Sequence, residues 1–293
     1  MKQIAFASGK GGAGKTSVAT AFFNYLKKSK ILADCDVDAS NCFITMEEKK
    51  LSSEEFYSGK KYSIIEKECI GCGMCIKQCD FGAIKKNSKK YRIIDIKCEG
   101  CGSCFEVCPN KAIDEHSNYC GNLYLSTTHD NSKLYYAKLF PGEDNSGKLI
   151  HDLKQKAVSF SKTNDREYLI IDAPPGIGCP AIASLVGVNI LIIVLEATQS
   201  GFHDAKNLIE LSKTKKIKTF ALINKSGINQ IFEDEIKEFL EKENIELVGE
   251  IPFNKEVAKI LKEKKLITDI SDTGFNENII SILENILEKG EKI

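Results

Sequence analysis

The sequence predicts an α/β protein: a mostly parallel sheet with helices on both faces, interrupted by a small second domain. Three observations carry this. Short apolar runs alternate with segments of helical period along most of the chain. A glycine-rich stretch, "GKGGAGKTS", joins the first apolar run to the first helical segment. Between about Lys60 and Ser117 the alternation stops, and a cysteine-rich internal repeat takes its place.

The elements follow in order. "KQIAFA" (Lys2–Ala7) reads as a short buried strand, and Gly14–Lys28 places Val18, Ala21, Phe22, Tyr25 and Leu26 at helical spacing. "ILADCD" (31–36) is the next strand. "YLIID" (Tyr168–Asp172), "NILIIVL" (Asn189–Leu195), "KTFALIN" (Lys218–Asn224) and "ELVGEI" (Glu246–Ile251) follow. Helical segments near Lys148–Ser161, Ala181–Val186, Ala205–Ser212, Ile231–Lys242 and Lys255–Lys264 lie among them. Such alternation implies parallel strands, because each crossover helix returns the chain to the same end of the sheet. The tail "NENIISILENILEKGEKI" puts Ile279, Ile280, Leu283, Ile286 and Leu287 on one face and reads as a packing helix.

Composition excludes several classes. Lysine plus arginine equals aspartate plus glutamate, 41 against 41, so no global basic field argues for nucleic acid or an anionic membrane. No apolar run is long enough to span a bilayer, and the first residues enter a strand without a signal-peptide pattern. A cytoplasmic protein with no nucleic-acid partner and no membrane insertion is expected. Twelve cysteines in a reducing compartment point to metal rather than disulfides.

Gly9-xxxx-Gly14-Lys15-Thr16 has the spacing of a phosphate-binding loop. Its glycines turn backbone N–H groups toward phosphate oxygens, and the helix that follows adds its dipole. Gly9, Gly11, Gly12, Ala13, Gly14, Lys15, Thr16 and Ser17 are the expected nucleotide contacts. Lys15 reaches the β- and γ-phosphates, and Thr16 offers a hydroxyl to Mg²⁺. One lysine suffices for that task, yet Lys10 supplies a second.

"KGGAGKT" resembles the deviant Walker A motif of the MinD/ParA/Mrp superfamily, which includes the nitrogenase iron protein. The resemblance implies a P-loop ATPase in which Lys10 reaches across a homodimer to the partner's nucleotide. A cation supplied in trans stabilises charge on the transferring phosphoryl group. "DCDVDASN" resembles the family's switch I segment, which gives Asp36 the attacking water and a place near Mg²⁺. Asp38 is a second acid there with no assigned role. "IIDAPPG" resembles the Walker B and switch II segment, so Asp172 holds Mg²⁺ through a water. "LINKSG" resembles the adenine-reading segment with Asn224 on the base, and "IPFNKEV" resembles the loop that covers it, with Pro252 and Phe253. "LEATQSGFHD" and "FPGEDNSGKL" resemble further segments of the group. Lys10, Lys15 and Asp36 are thus the implied catalytic residues, with ATP/ADP and Mg²⁺ as ligands.

"CIGCGMCIKQCDFGAI" (Cys69–Ile84) matches "CEGCGSCFEVCPNKAI" (Cys98–Ile113). Each half carries C-x₂-C-x₂-C-x₃-C. The second half ends in Cys108-Pro109, as in bacterial ferredoxins, and the first ends in Cys79-Asp80. The resemblance implies two 4Fe–4S clusters, with the fourth cysteine of each run crossing over. One would take Cys69, Cys72, Cys75 and Cys108; the other Cys98, Cys101, Cys104 and Cys79. Zinc is the alternative for any C-x₂-C pair. The organisation expected is a P-loop ATPase domain of residues 1–59 and 118–293, with a small ferredoxin-like α+β domain, 60–117, inserted in it. "KKNSKKYR" (Lys85–Arg92) joins the halves as a solvated turn between two strands, or docks an acidic partner.

Four cysteines remain. Cys35, Cys42 and Cys120 read as packing residues. Cys179 lies seven residues beyond Asp172, where the nitrogenase iron protein ligates a cluster shared across its dimer axis; here it is either a packing residue or a metal or cluster ligand on such an axis. The function implied is ATP hydrolysis at a homodimer interface, coupled to electron transfer or metallocluster assembly on a cofactor-carrying or redox client. A cluster scaffold with structural ferredoxin sites and a MinD/ParA-like spatial organiser are the alternatives.

Overall fold

A computed structural model describes residues 1–46 and 49–292. The chain divides into two units: Met1–Glu54 with Asn122–Leu139 and Asn145–Ile293, and Glu55–Gly121 with Phe140–Asp144.

In the first unit the chain runs β1 (Lys2–Ala7), α1 (Lys15–Tyr25), β2 (Lys30–Asp34) and a short α2 (Cys42–Thr45). Strand β3 (Lys49–Ile64) leads into the second unit and β6 (Ile113–Thr127) leads back. Then come β7 (Lys133–Leu139), α5 (Gly147–Thr163), β8 (Tyr168–Asp172), α6 (Cys179–Leu185), β9 (Ile190–Glu196) and α7 (Gln199–Thr214). β10 (Lys218–Ser226), α8 (Gln230–Lys242), β11 (Glu246–Pro252), α9 (Glu256–Lys262) and α10 (Thr273–Glu291) complete it.

The sheet order is β11-β10-β9-β1-β8-β2-β7-β6-β3, and every neighbour from β11 to β7 pairs in parallel. The central strands are buried at nearly every position, as parallel strands covered on both faces must be. One face packs Ile4, Phe6, Leu32, Ile170 and Ile192 against Phe22 of α1 and Ile279, Leu283 and Ile286 of α10. The other receives α5, which packs on β2, β7 and β8. The tail is the expected packing helix, but its inward stripe is Phe275, Ile279, Ile282, Leu283 and Ile286, while Ile280 is exposed. Gly249 lets it approach β11: a Cβ there would collide with Ile282.

Three strands, β3, β6 and β7, go beyond the sequence reading. Helix α7 begins six residues before the segment expected, at a Thr198 cap whose Oγ1 accepts from the Gly201 N–H.

The second unit contains α3 (Met74–Gln78), α4 (Ser103–Glu106) and an antiparallel hairpin of β4 (Ile84–Asn87) and β5 (Lys90–Ile93). Most of "KKNSKKYR" is therefore strand; the turn is Ser88-Lys89. The core consists of Tyr62, Ala83, Ile84 and Ile113 with the cysteines Cys75, Cys98 and Cys104. Cys120 is buried there, its thiol donating to the Ser58 carbonyl at 3.3 Å, and Tyr119 meets Phe140 edge-on.

Candidate functional site

The loop after β1 is shaped for close backbone approach. Gly12 and Gly14 have φ of 82° and 88°, in the left-handed region that side chains disfavour. A Cβ on Gly14 would also strike the Asn224 carboxamide, and one on Gly9 would strike Asp204 and Ala205 of α7. Ala13 is buried, whereas Gly11 and Gly12 are exposed at the loop's outer edge and Ser17 lies half-buried in the first turn of α1.

Lys15, at the head of α1, is buried among carboxylates. Its Nζ lies 2.7 Å from Asp172 Oδ1 and 3.1 Å from Asp36 Oδ2. Burial alone would lower its pKa, but Asp172 and Asp36 overcome this and hold the ammonium charged. The Thr16 hydroxyl donates to Asp172 Oδ2 at 2.6 Å. The parallel register of β2, β8 and β1 brings these groups together: Asp34 stands opposite Asp172, and Asp172 opposite Phe6, at the carboxyl ends of the strands. Phosphate oxygens and a magnesium ion would take the place of carboxylate oxygens around Lys15 and Thr16.

Asp38 stays apart from this group; it is exposed and accepts from Asn145 Nδ2 at 3.2 Å. Lys10 also stands apart from Lys15. Its Nζ donates to Thr198 Oγ1 at 2.8 Å and lies 3.6 Å from Glu196 Oε2. Lys225 bonds the same Glu196 at 3.4 Å and the Gly12 carbonyl at 2.9 Å.

Beside the loop is a cavity of about 300 Å³ lined by Gly12, Gly14, Val18, Asn224, Pro252 and Phe253. The Asn224 amide donates to the Ala13 carbonyl at 2.8 Å, which ties the end of β10 to the loop. Phe253 is half exposed and forms one wall of the cavity. The cavity's size and apolar walls suit a purine ring.

In the second unit the eight repeat cysteines line two cavities. Cys69, Cys72, Cys75 and Cys108 line one, and Cys79, Cys98, Cys101 and Cys104 the other. The Ala83 N–H donates to Cys79 Sγ at 3.4 Å and the Ala112 N–H to Cys108 Sγ at 3.3 Å. Among the described residues, the only three potential ligands whose atoms lie within 4.8 Å of one another are Asp34, Cys42 and Asp172, outside this unit.

Cys179 is exposed at the head of α6, and Gly147 lies against its backbone and Cβ. Sequence reasoning passed over Asp34 and read Cys42 as a packing residue. Asp34 is fully buried, accepts from the Ser40 hydroxyl at 2.7 Å, and is pushed up to about 7 by burial and by Asp172. Cys42 packs in the core, yet its thiol donates to Asp172 Oδ2 at 3.7 Å, and burial raises its pKa well above the ordinary value. The signal for Asp34 was its place two residues before Asp36 at a strand's end; Cys42 carried none. Among the described residues, no helix is long and apolar enough to cross a membrane.

Comparison with known proteins agrees with this geometry. The chain is 34% identical to Uncharacterized protein MJ0578 of Methanocaldococcus jannaschii, over 98% of this chain and 96% of that one. Its fold is similar to the cell division ATPase MinD of Pyrococcus furiosus, at a TM-score of 0.58 and 12% identity over 98% and 99% of the two chains. It is equally similar to the septum site-determining protein MinD of Pyrococcus horikoshii, solved with Mg-ADP, at a TM-score of 0.58 and 13% identity over 100% and 99%. Residues 4–267 match the CobQ/CobB/MinD/ParA nucleotide-binding domain, and with that span the chain belongs to this family.

Proposed function

We propose that this protein is an ATPase whose nucleotide-driven homodimerisation is coupled to two iron–sulfur clusters serving a client protein. The observation that carries the ATPase reading is the buried constellation of Lys15, Thr16, Asp36 and Asp172 beside a base-sized cavity. Lys15 would neutralise the β- and γ-phosphates. Thr16 and Asp172 would hold Mg²⁺, the latter through a water. Asp36, within reach of the same phosphates, would orient the attacking water. Asn224, Pro252 and Phe253 would hold the base. Lys10 would serve the partner's nucleotide once it leaves Thr198.

The cysteine cavities support the cluster reading, because each gathers four thiols, three from one repeat half and the fourth from the other. When bound, such clusters supply one-electron transfer. Cys69, Cys72, Cys75 and Cys108 would hold one and Cys98, Cys101, Cys104 and Cys79 the other. The domain division proposed remains 1–59 with 118–293, and 60–117. A MinD-like spatial organiser would need the first unit alone and leaves eight grouped cysteines without a task.

The test is anaerobic purification followed by iron, sulfide and ATPase assays. About eight iron and eight sulfide per chain, with magnesium-dependent ATP hydrolysis lost in Asp36→Ala, are expected. Stoichiometric zinc in iron-replete protein would exclude the clusters, and wild-type turnover in Asp36→Ala would exclude the proposed hydrolytic site.

A further inference from the structure

The two repeat halves are built alike but charged differently. Gly71 packs against the Lys89 carbonyl and Gly73 against the Tyr91 hydroxyl; 29 positions away, Gly100 packs against Lys60 and Gly102 against Tyr62 in the same manner. In the second half Glu115 neutralises the arrangement. It bonds Lys60 Nζ at 2.6 Å and the Tyr62 hydroxyl at 2.9 Å. The repeat counterparts of Asp114 and Glu115 in the first half are Lys85 and Lys86, so two acids are replaced by two cations.

The result is a hairpin carrying unbalanced positive charge. Lys85 pairs directly across the ladder with Arg92, a like-charge juxtaposition that destabilises a sheet. Ile84, Tyr91 and Ile93 pack on the unit's core, so Lys85 and Arg92, which alternate with them along the strands, point outward. Lys89 extends the charge at the tip. All three are exposed, and none forms an ion pair among the described residues.

The Lys89 tip abuts the loop that bears Cys72. That cysteine is exposed, and Ile70 and Met74 beside it are 66% and 47% exposed. An apolar centre with a charged rim is the anatomy of a protein interface. A nucleic-acid site would call for a longer basic track with exposed stacking rings, and the chain's net charge is zero.

We propose that the outer face of this hairpin, with Lys85, Lys89 and Arg92, is the docking surface for an acidic electron-carrying protein, seated over Cys72. The cavity of Cys69, Cys72, Cys75 and Cys108 is then the one presented to the carrier, and the neutralised second half is not. This rests on the cluster reading for the nature of the group behind Cys72; the docking is measured independently of it.

The test uses the full chain, purified anaerobically, and an oxidised flavodoxin as the acidic probe, with a short DNA duplex as competitor. Wild type should bind the flavodoxin at low ionic strength and lose it as salt is raised. Lys85→Glu/Lys89→Glu/Arg92→Glu should weaken binding by about tenfold or more. Lys85→Gln/Arg92→Gln should fall between, and Lys162→Glu/Lys215→Glu/Lys242→Glu in the other unit, with the same charge change, should bind like wild type. Absence of salt-dependent binding by wild type, equal binding by the hairpin variants, or tighter binding of the duplex would each overturn the proposal. Iron is assayed in every sample. Iron-free protein that still binds through the hairpin would sink the cluster reading and leave the docking surface standing; iron-replete protein that does not bind would do the reverse.

Discussion

Lys10 is hydrogen-bonded to Thr198 within its own chain, Nζ to Oγ1 at 2.8 Å, with Glu196 3.6 Å away. On the proposed role, a lysine that serves a partner's nucleotide would have to leave these contacts. Thr198 has a second task, since its hydroxyl also caps α7. Release of Lys10 would therefore free the oxygen that also caps α7.

Lys10→Ala should therefore keep ATP binding, because Lys15 and the loop backbone remain. It should lose ATP-dependent dimerisation and slow turnover by about 100-fold or more, the scale of a removed transition-state cation. Lys15→Ala should instead weaken nucleotide binding itself. Nucleotide titration and light scattering with and without ATP separate the two effects. Wild-type turnover in Lys10→Ala would refute a role in trans.

Nucleotide state should also reach the second unit. In chain order α2 follows Asp36 and β3, which enters that unit, comes next, so a change at Asp36 would be passed along the chain toward the insertion. With ATP and magnesium, the rate at which a chelator removes iron should differ from that with ADP. Identical rates in the ATP, ADP and nucleotide-free states would mean a passive insertion.

The parallel core was legible because a strand covered on both faces is apolar throughout, and β1, β2, β8, β9 and β10 all read that way. The far side of the sheet was not. Most of the described residues from Lys49 to Glu55 are exposed, and such polar strands have no apolar signature. That Lys15 and Thr16 meet Asp172 could be anticipated, the first two from the spacing of the loop and the third from the resemblance of "IIDAPPG". The role of Cys42 depends on α2 folding its thiol onto Asp172, a tertiary placement that no local pattern announces.

Lys154 supplies a pH test. Its amine is buried and donates to the carbonyls of Ser184, at 2.7 Å, and Val186, at 2.5 Å, near the end of α6. Burial lowers its pKa to about 8, against about 10.4 when unfolded. Between those values the unfolded chain holds a proton that the folded chain has released, so stability rises with pH across that window. Lys154→Met removes the titration. Relative to that variant, wild type should gain up to about 1.4 kcal/mol per pH unit between pH 8 and 10 in denaturant titrations. Parallel pH profiles would show that the amine titrates normally.

Cys179 is the last case. It lies seven residues past Asp172, exposed at the head of α6. We propose that this thiol faces its counterpart across the axis of the ATP-bound dimer. Two chains then bring two thiolates together, too few for a four-iron cluster unless a client completes the shell. The eight repeat cysteines need nothing from it, so Cys179→Ser should retain about eight iron per chain. The distinguishing measurement is alkylation. Iodoacetamide should modify Cys179 readily in nucleotide-free protein, where the thiol is open to solvent, and should be excluded in the ATP-bound dimer. Lys10→Ala, which cannot form that dimer, should remain open to modification with ATP present. Equal labelling in the monomer and the ATP-bound dimer would place Cys179 away from the axis and end its candidacy as a shared ligand.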